Sequence, residues 1–285
     1  MNYRHVFHAG NFADLLKHAV LLDILAKVTA VREPLTVIDT HAGAGVYDLG
    51  SDPAQRTGEG AAAGVLMADP AAPAAFEPLK AAIGRLNETG HRHYPGSPLL
   101  IAHALRARDQ LIACETRRED FEFLREALRG PAGAFALRED GWDVARLRTP
   151  RSPAPALVLI DPPYEAADDP QHAAEAVGQV LGRNVRAVVA VWAPIKDLAS
   201  FDALLASLED AARGLPILLA ETRLRPPDDP LRLNGCAMIV VNPTPDLEDR
   251  AREAAEWIAG AFGDRTGLGR VAHFNAKAAH RQHRG

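Results

Sequence analysis

Leu157-Val158-Leu159-Ile160-Asp161-Pro162-Pro163-Tyr164 is the stretch whose reading decides the fold. Four apolar residues stop abruptly at a carboxylate, two prolines and an aromatic. A short apolar run bounded by prolines reads as a parallel strand buried on both faces. It cannot extend past Asp161, because each proline removes an amide donor and fixes its own φ. Asp161, the Pro162 carbonyl and the Tyr164 ring are therefore presented at the carboxyl end of a buried strand, where open α/β sheets bind ligands. The trio suits an exocyclic amine on a flat base. The carboxylate and the carbonyl accept its two N–H bonds, and the tyrosine stacks on the ring.

Working outward toward the N-terminus, Leu35 to Asp39 reads as a first buried strand that runs into Thr40-His41-Ala42-Gly43-Ala44-Gly45. Glycines after a strand let the backbone approach a ligand closely. A dinucleotide loop would place a third glycine at position 48, which is Asp48, an unfavourable neighbour for a pyrophosphate. S-adenosylmethionine carries no phosphate, and the loop favours it over NAD. The next strand, Asp109 to Cys114, ends at Glu115. That interval is too long for one crossover helix, so residues 47–94 are expected to form an inserted helical subdomain, with residues 1–46 and 95–285 as the core. A helix capped by Asn11 precedes the first strand and carries Lys17 and His18.

Toward the C-terminus, strands are expected at Ala134 to Glu139, Val185 to Trp192, Ile217 to Glu221 and Cys236 to Asn242, with helices between them. Such alternation implies an α/β fold: a mostly parallel, doubly wound sheet with an antiparallel edge. The polar, proline-rich residues 223–234 read as a mobile loop near the cleft. After a last helix the chain reads as a basic tail carrying Arg265, Arg270, Lys277, Arg281 and Arg284.

Composition narrows the function classes. The 285 residues are 47% hydrophobic and 24% charged, as in an ordinary globular protein. No apolar run approaches the ~20 residues of a membrane span, and the N-terminus lacks a signal-peptide core. Cys114 and Cys236 have neither metal-ligand nor disulfide-framework spacing, so the setting reads as reducing and cytoplasmic, with no metal. A net charge of −5 opposes indiscriminate nucleic-acid binding but leaves room for a local basic footprint. Nothing in the chain calls for an obligate protein partner, and a monomer is expected.

Four polar positions terminate successive strands: the Asp39 to Gly45 loop, Glu115, Asp140 and Asp161. One acid after a strand is usually a turn former or helix cap. Four at corresponding ends are gathered by such a fold along one edge. The glycine loop then approaches the methionine part of the cofactor, Glu115 the ribose, and Asp140 with Gly141 its adenine, leaving Asp161 for the substrate. His41, inside the loop, is read as a ligand contact. His18 is as readily a packed core histidine.

The Asp161-Pro162-Pro163-Tyr164 element resembles the amino-group methyltransferases. Adding Tyr3-Arg4-His5, Phe7-His8-Ala9-Gly10-Asn11, Asp14, Leu16-Lys17-His18, Asp39 to Gly45, Arg56-Thr57-Gly58-Glu59 and Tyr94-Pro95-Gly96-Ser97-Pro98 makes the chain similar to the RlmJ family, which methylates adenine N6 in 23S ribosomal RNA. The resemblance implies a Rossmann-like S-adenosylmethionine-dependent methyltransferase core with a helical insertion, and 23S ribosomal RNA as partner. It also implies cofactor contacts at His18, His41, Gly43, Ser97, Glu115, Asp140, Gly141 and Asp161. Catalysis falls to Asp161 with Pro162 and Tyr164. Tyr3, Lys17 and Tyr164 would lie near the RNA. A DNA adenine-N6 methyltransferase and a non-catalytic RNA-binding protein on the same fold are the competing readings.

Overall fold

The strand ending at Ile160 lies near the middle of an eight-stranded sheet in a computed structural model that describes residues 9–50, 61–88, 90 and 92–275. Tyr3, Arg56, His91, Lys277, Arg281 and Arg284 fall outside the described residues. In chain order the first elements are α1 (Phe12–Val28), β1 (Thr36–Asp39), β2 (Val46–Asp48), α2 (Ala61–Ala68), α3 (Glu77–Leu86), β3 (His93–Pro95) and α4 (Ser97–Ala104). The middle adds β4 (Gln110–Cys114), α5 (Arg118–Ala127), β5 (Ala134–Leu137), α6 (Gly141–Arg148), β6 (Ala156–Ile160) and α7 (Asp169–Arg183). The last are β7 (Val188–Ile195), α8 (Leu198–Ala212), β8 (Pro216–Arg223), β9 (Gly235–Val241), α9 (Leu247–Phe262) and β10 (Leu268–Asn275).

The sheet runs β5-β4-β1-β6-β7-β9-β8-β10. Strands β5 through β7 are parallel, β9 is antiparallel to both neighbours, and β10 is antiparallel to β8. Along β6 the side chains alternate. Leu157 and Leu159 join the apolar cluster under α1 and α9, while Val158 and Ile160 join the one under α7 and α8. All four are fully buried, and each contributes about 1.5–3 kcal/mol of transfer free energy. The continuous apolar run thus reflects a strand covered on both faces, as a parallel α/β sheet requires.

Register aligns the ligand-facing ends. Asp39 pairs with Ala113 on one side and Leu159 on the other, so β1, β4 and β6 finish within a residue or so of each other. Beyond the ladder, the Thr40 amide still donates to the Leu159 carbonyl and the Ala42 amide to the Cys114 carbonyl. These bonds tie the glycine loop to both neighbouring strands.

Three expectations need correction. The 47–94 region is not wholly helical: β2 and β3 pair as an antiparallel ribbon, Val46 against Pro95 and Asp48 against His93. Three-residue strands are too short to show a period of two. Residues 268–275, expected to belong to a basic tail, instead form β10 on the β8 edge. There Arg270 reaches the buried Glu221, which Arg223 also pairs; the charges disguised an alternating edge strand. Finally, the 224–234 loop is pinned by Asn234, whose side-chain amide donates to the carbonyls of Lys196 and Asp229.

The helices between β2 and β3 share their apolar contacts with the core. Leu66, Phe76, Leu79, Ile83 and Tyr94 cluster with residues of α1 and α9. Trp257 of α9 donates to Asp69 at 2.9 Å and meets the Phe76 ring edge-on. Among the described residues, no helix is long and apolar enough to cross a membrane.

Candidate active site

A cleft opens at the carboxyl ends of β1, β4 and β6. It is lined by Lys17, by residues 41–44 and 115–117, by Gly96 and Ser97, and by Asp161, Pro162, Pro163 and Glu165, with Tyr47 and Asp120 at its sides. Gly43 and Gly45 adopt φ of +61° and +82°, values that a side chain disfavours. A Cβ on Gly43 would collide with the Tyr47 hydroxyl, which instead accepts a bond from the Ala44 amide at 3.1 Å. The loop is thereby held open against the ribbon, and the Gly96 amide donates to the Gly45 carbonyl at 2.8 Å. Ser97, at the first turn of α4, donates to Asp39 at 2.7 Å beneath the cleft floor.

Asp161 is paired rather than free. Lys17 Nζ donates to Asp161 Oδ2 at 2.7 Å and lies 2.8 Å from Asp14 Oδ1. Burial alone would lower the Lys17 pKa, yet the two carboxylates hold it well above its usual value, and the ammonium is charged. Tyr164 sits in the left-handed region at φ 51°. Its hydroxyl donates to the Trp192 carbonyl at 2.8 Å, and its ring packs at 5.9 Å from that of Trp192. The ring is half-buried and forms no part of the cleft lining.

The residues expected to hold a cofactor separate into two groups. His41, Gly43, Ser97, Glu115 and Asp161 line the cleft together. Asp140 and Gly141 do not. Asp140 caps α6 by accepting from the Trp142 amide at 2.8 Å and is solvent-exposed. Gly141 packs its Cα against the Thr40 carbonyl, bringing the α6 N-terminus against the end of β1. His18 is fully buried behind the cleft, its Nδ1 2.8 Å from the Tyr94 hydroxyl and its ring stacked at 5.5 Å on the tyrosine. It packs on Tyr94 and does not line the cleft. Lys17, expected near the substrate, is a cleft residue buried between carboxylates rather than a surface cation.

Three residues of the site were given no individual role from the sequence. Asp14 pairs with Lys17 one helical turn away and accepts from the Gly10 amide at 2.9 Å. Asp39 is fully buried, and Tyr47 walls the cleft. Asp39 carried a signal, an acid closing a buried strand, while Asp14 is recognisable only once α1 is seen to meet Asp161. Among the described residues, Asp168, Asp169 and His172 bring possible metal-ligand atoms within 4.8 Å. They belong to the start of α7, where Asp169 accepts from the Ala166 amide.

Burial pushes the Asp39 carboxyl up to about 7, against the bond from Ser97, and pushes the His41 imidazole down to about 4. The two act oppositely on stability. A carboxyl raised in the folded state contributes stability below pH 4 that is lost as pH rises toward 7. A histidine lowered in the folded state contributes stability above pH 6.5 that is lost as pH falls toward 4. Relative to the parent, Asp39→Asn should therefore melt progressively higher as pH rises from 4.5 to 7, and His41→Gln progressively higher as pH falls. Calorimetric Tm values across that range check both; slopes of the same sign would refute the pairing.

The cleft lining is acidic: Glu115, Asp120, Asp161 and Glu165 outnumber Lys17 and Arg117, and Lys17 is already held by two carboxylates. It suits a cationic, phosphate-free nucleoside better than a dinucleotide. Burial also raises the Glu115 pKa, opposed by the bond from the Arg117 amide.

Comparison with known proteins agrees with this geometry. The family model described as ribosomal RNA large subunit methyltransferase D, RlmJ, matches residues 32–274. The ribosomal RNA large subunit methyltransferase J of Escherichia coli K12 is 34% identical over 262 residues, covering 90% of this chain and 92% of that protein. Its Haemophilus influenzae namesake is 32% identical over the same share of each chain. A crystal structure of a Legionella pneumophila protein superposes with a TM-score of 0.84 at 24% identity, covering 95% of this chain and 99% of the other, and so shares the fold.

Proposed function

The chain belongs to the RlmJ family of ribosomal RNA large subunit methyltransferases, and from that premise we propose that it uses S-adenosylmethionine to methylate N6 of one adenine in 23S ribosomal RNA. The observation that carries this reading is the placement of Asp161 and Pro162 on the wall of an acidic cleft beside the glycine loop. Family membership favours RNA over DNA, and the paired, cleft-facing Asp161 favours an active enzyme over a non-catalytic binder.

When bound, S-adenosylmethionine supplies a methyl group on a sulfonium, a strong electrophile. His41, Gly43, Ser97 and Glu115, which line the cleft, would hold it. The chain's own task is to make a poor nucleophile competent, since the N6 lone pair of adenine is delocalised into the ring. Asp161 and the Pro162 carbonyl accept the two amine hydrogens and orient the nitrogen for in-line attack. The carboxylate stabilises the charge that develops on nitrogen and takes the proton. Tyr164, anchored through Trp192, offers a ring edge or face to the extruded base once that base enters. Lys17 sits at the joint of cleft and carboxylate.

Residues 47–94 are proposed as the inserted subdomain that helps position RNA, through Arg85, Arg92 and His93, on a core of residues 1–46 and 95–285. The test is nucleoside analysis of 23S ribosomal RNA from cells lacking the protein. One N6-methyladenine should disappear and return on complementation. Retention of every N6-methyladenine would overturn the assignment.

A further inference from the structure

Asp14, Lys17 and Asp161 form a buried trio with two carboxylates and one ammonium, and hence one negative charge in surplus. The members differ in accessibility. Lys17 and Asp14 side chains are 5% and 4% exposed, while Asp161 is 13% exposed and faces the cleft. They also differ in attachment. Asp14 and Lys17 sit three residues apart on α1, and the Gly10 amide holds Asp14 Oδ2 at 2.9 Å. Asp161 comes from the carboxyl end of β6, 144 residues along the chain. The Asp14–Lys17 contact therefore survives any movement of the Asp161 loop.

We propose that Asp14 is a positioning residue for methyl transfer: it is the fixed counter-ion of Lys17, and so allows Asp161 to loosen its ion pair and turn its carboxylate to the substrate amine. This rests on the reading of Asp161 as the group that receives the amine. The reason is the cost of stranding a buried charge. If Lys17 had Asp161 as its sole partner, drawing that carboxylate away would leave a desolvated ammonium, which is strongly unfavourable. With Asp14 in place the ammonium stays paired throughout. Asp161 is then the carboxylate in surplus, available to a group that becomes positive as the reaction proceeds. Asp14 does not line the cleft and touches neither cofactor nor base; it acts through Lys17.

The test is a double-mutant cycle read by single-turnover methyl transfer to 23S ribosomal RNA. Asp14→Asn should slow transfer by about tenfold, less than the 10²–10⁴-fold expected for a group that itself takes the proton. KM for RNA and Kd for S-adenosylmethionine should stay within about twofold, because ground-state binding is untouched. In a Lys17→Met background the same Asp14→Asn change should alter the rate less than about twofold, since no ammonium remains to be held. Asp14→Glu, which keeps the charge, should recover most of the parent rate. A role confined to anchoring Gly10 and the start of α1 predicts an equal loss in both backgrounds. That result, or a parent-like rate for Asp14→Asn, overturns the proposal.

Should Asp14→Asn fail to fold by circular dichroism, the Asp14→Asn/Lys17→Met protein, in which the cleft-facing Asp161 is the one charge of the trio that remains, is compared with Lys17→Met alone. Equal rates support the counter-ion role; a further tenfold loss, about 1.4 kcal/mol, overturns it. The parent enzyme is assayed first for N6-methyladenine. Absence of that product refutes the activity itself, whereas its presence with additive variant losses refutes the role of Asp14 alone.

Discussion

Asp161→Asn is expected to lower methyl transfer by about 10²–10⁴-fold, the range for removal of a positioned proton acceptor, while cofactor binding persists. The change keeps size and shape but replaces an acceptor-only carboxylate with an amide that also donates. Against the Lys17 ammonium, which is itself donor-only, the asparagine must turn its carbonyl oxygen inward. Its NH2 group then faces the position where the amine hydrogens need acceptors. The buried charge is also redistributed: Lys17 keeps Asp14, so one ammonium and one carboxylate remain and no ion is stranded. The fold should tolerate the substitution with little loss of Tm. Labelled-methyl incorporation measures the rate, and calorimetric titration with S-adenosylmethionine measures binding. Transfer within tenfold of the parent would remove Asp161 from the chemistry, and joint loss of rate and binding would make it a cofactor ligand first.

Gly141→Ala should be the most damaging methyl group that can be added near the site. A Cβ there would land on the Thr40 carbonyl oxygen and crowd the Thr40 Cα. These are backbone atoms of the segment that links β1 to the glycine loop, fixed by the bonds from Thr40 to Leu159, so they cannot step aside as a side-chain tip can. Overpacking typically costs about 1–3 kcal/mol and more where the backbone must move, and the upper end is expected. Relief requires shifting α6 away from β1, which carries Asp140 and Trp142 with it and opens the contact of Trp142 with His41, whose ring centroids are 4.6 Å apart. Denaturant unfolding should show the loss of stability, and cofactor affinity should fall with it. Gly182→Ala is the control: it lies in α7 with open space around it, and should stabilise by about 0.5–1 kcal/mol. Equal stability of the two variants would refute the close packing of α6 on Thr40.

Much of this architecture was legible because it depends on runs and interruptions. Apolar strands ending in acids, glycines or prolines mark a parallel sheet and its ligand edge, and β1, β4, β5 and β6 all announce themselves this way. The parts that escaped depend on partners distant in sequence. β10 mixes Gly269, Arg270 and His273 with its apolar residues, and its identity as a strand comes from pairing with β8. Asp14 resembles any acid in the first turn of a helix until α1 is laid against the end of β6. His18 and Lys17 are neighbours in sequence, yet the helical turn sends one into a stack with Tyr94 and the other toward Asp161. A linear motif names both and cannot say which reaches the cleft.

The placement of β1 also governs the order in which the enzyme is assembled. β1 is made early, but its sheet partners are β4 and β6, and Thr36 pairs with Gln110 and with Ala156. The glycine loop thus lacks its tie to β6, the bond from Thr40 to Leu159, until some 120 further residues have been translated, which takes on the order of ten seconds at ribosomal rates of about 5–20 residues per second. Contacts of such long sequence separation slow folding, because loop-closure entropy is lost before the contacts repay it. Meanwhile α1 can already pack with the 61–95 region, whose apolar residues it shares. A nascent N-terminal half that collapses on α1 first, and acquires its catalytic edge only when β6 arrives, is the folding order this topology favours.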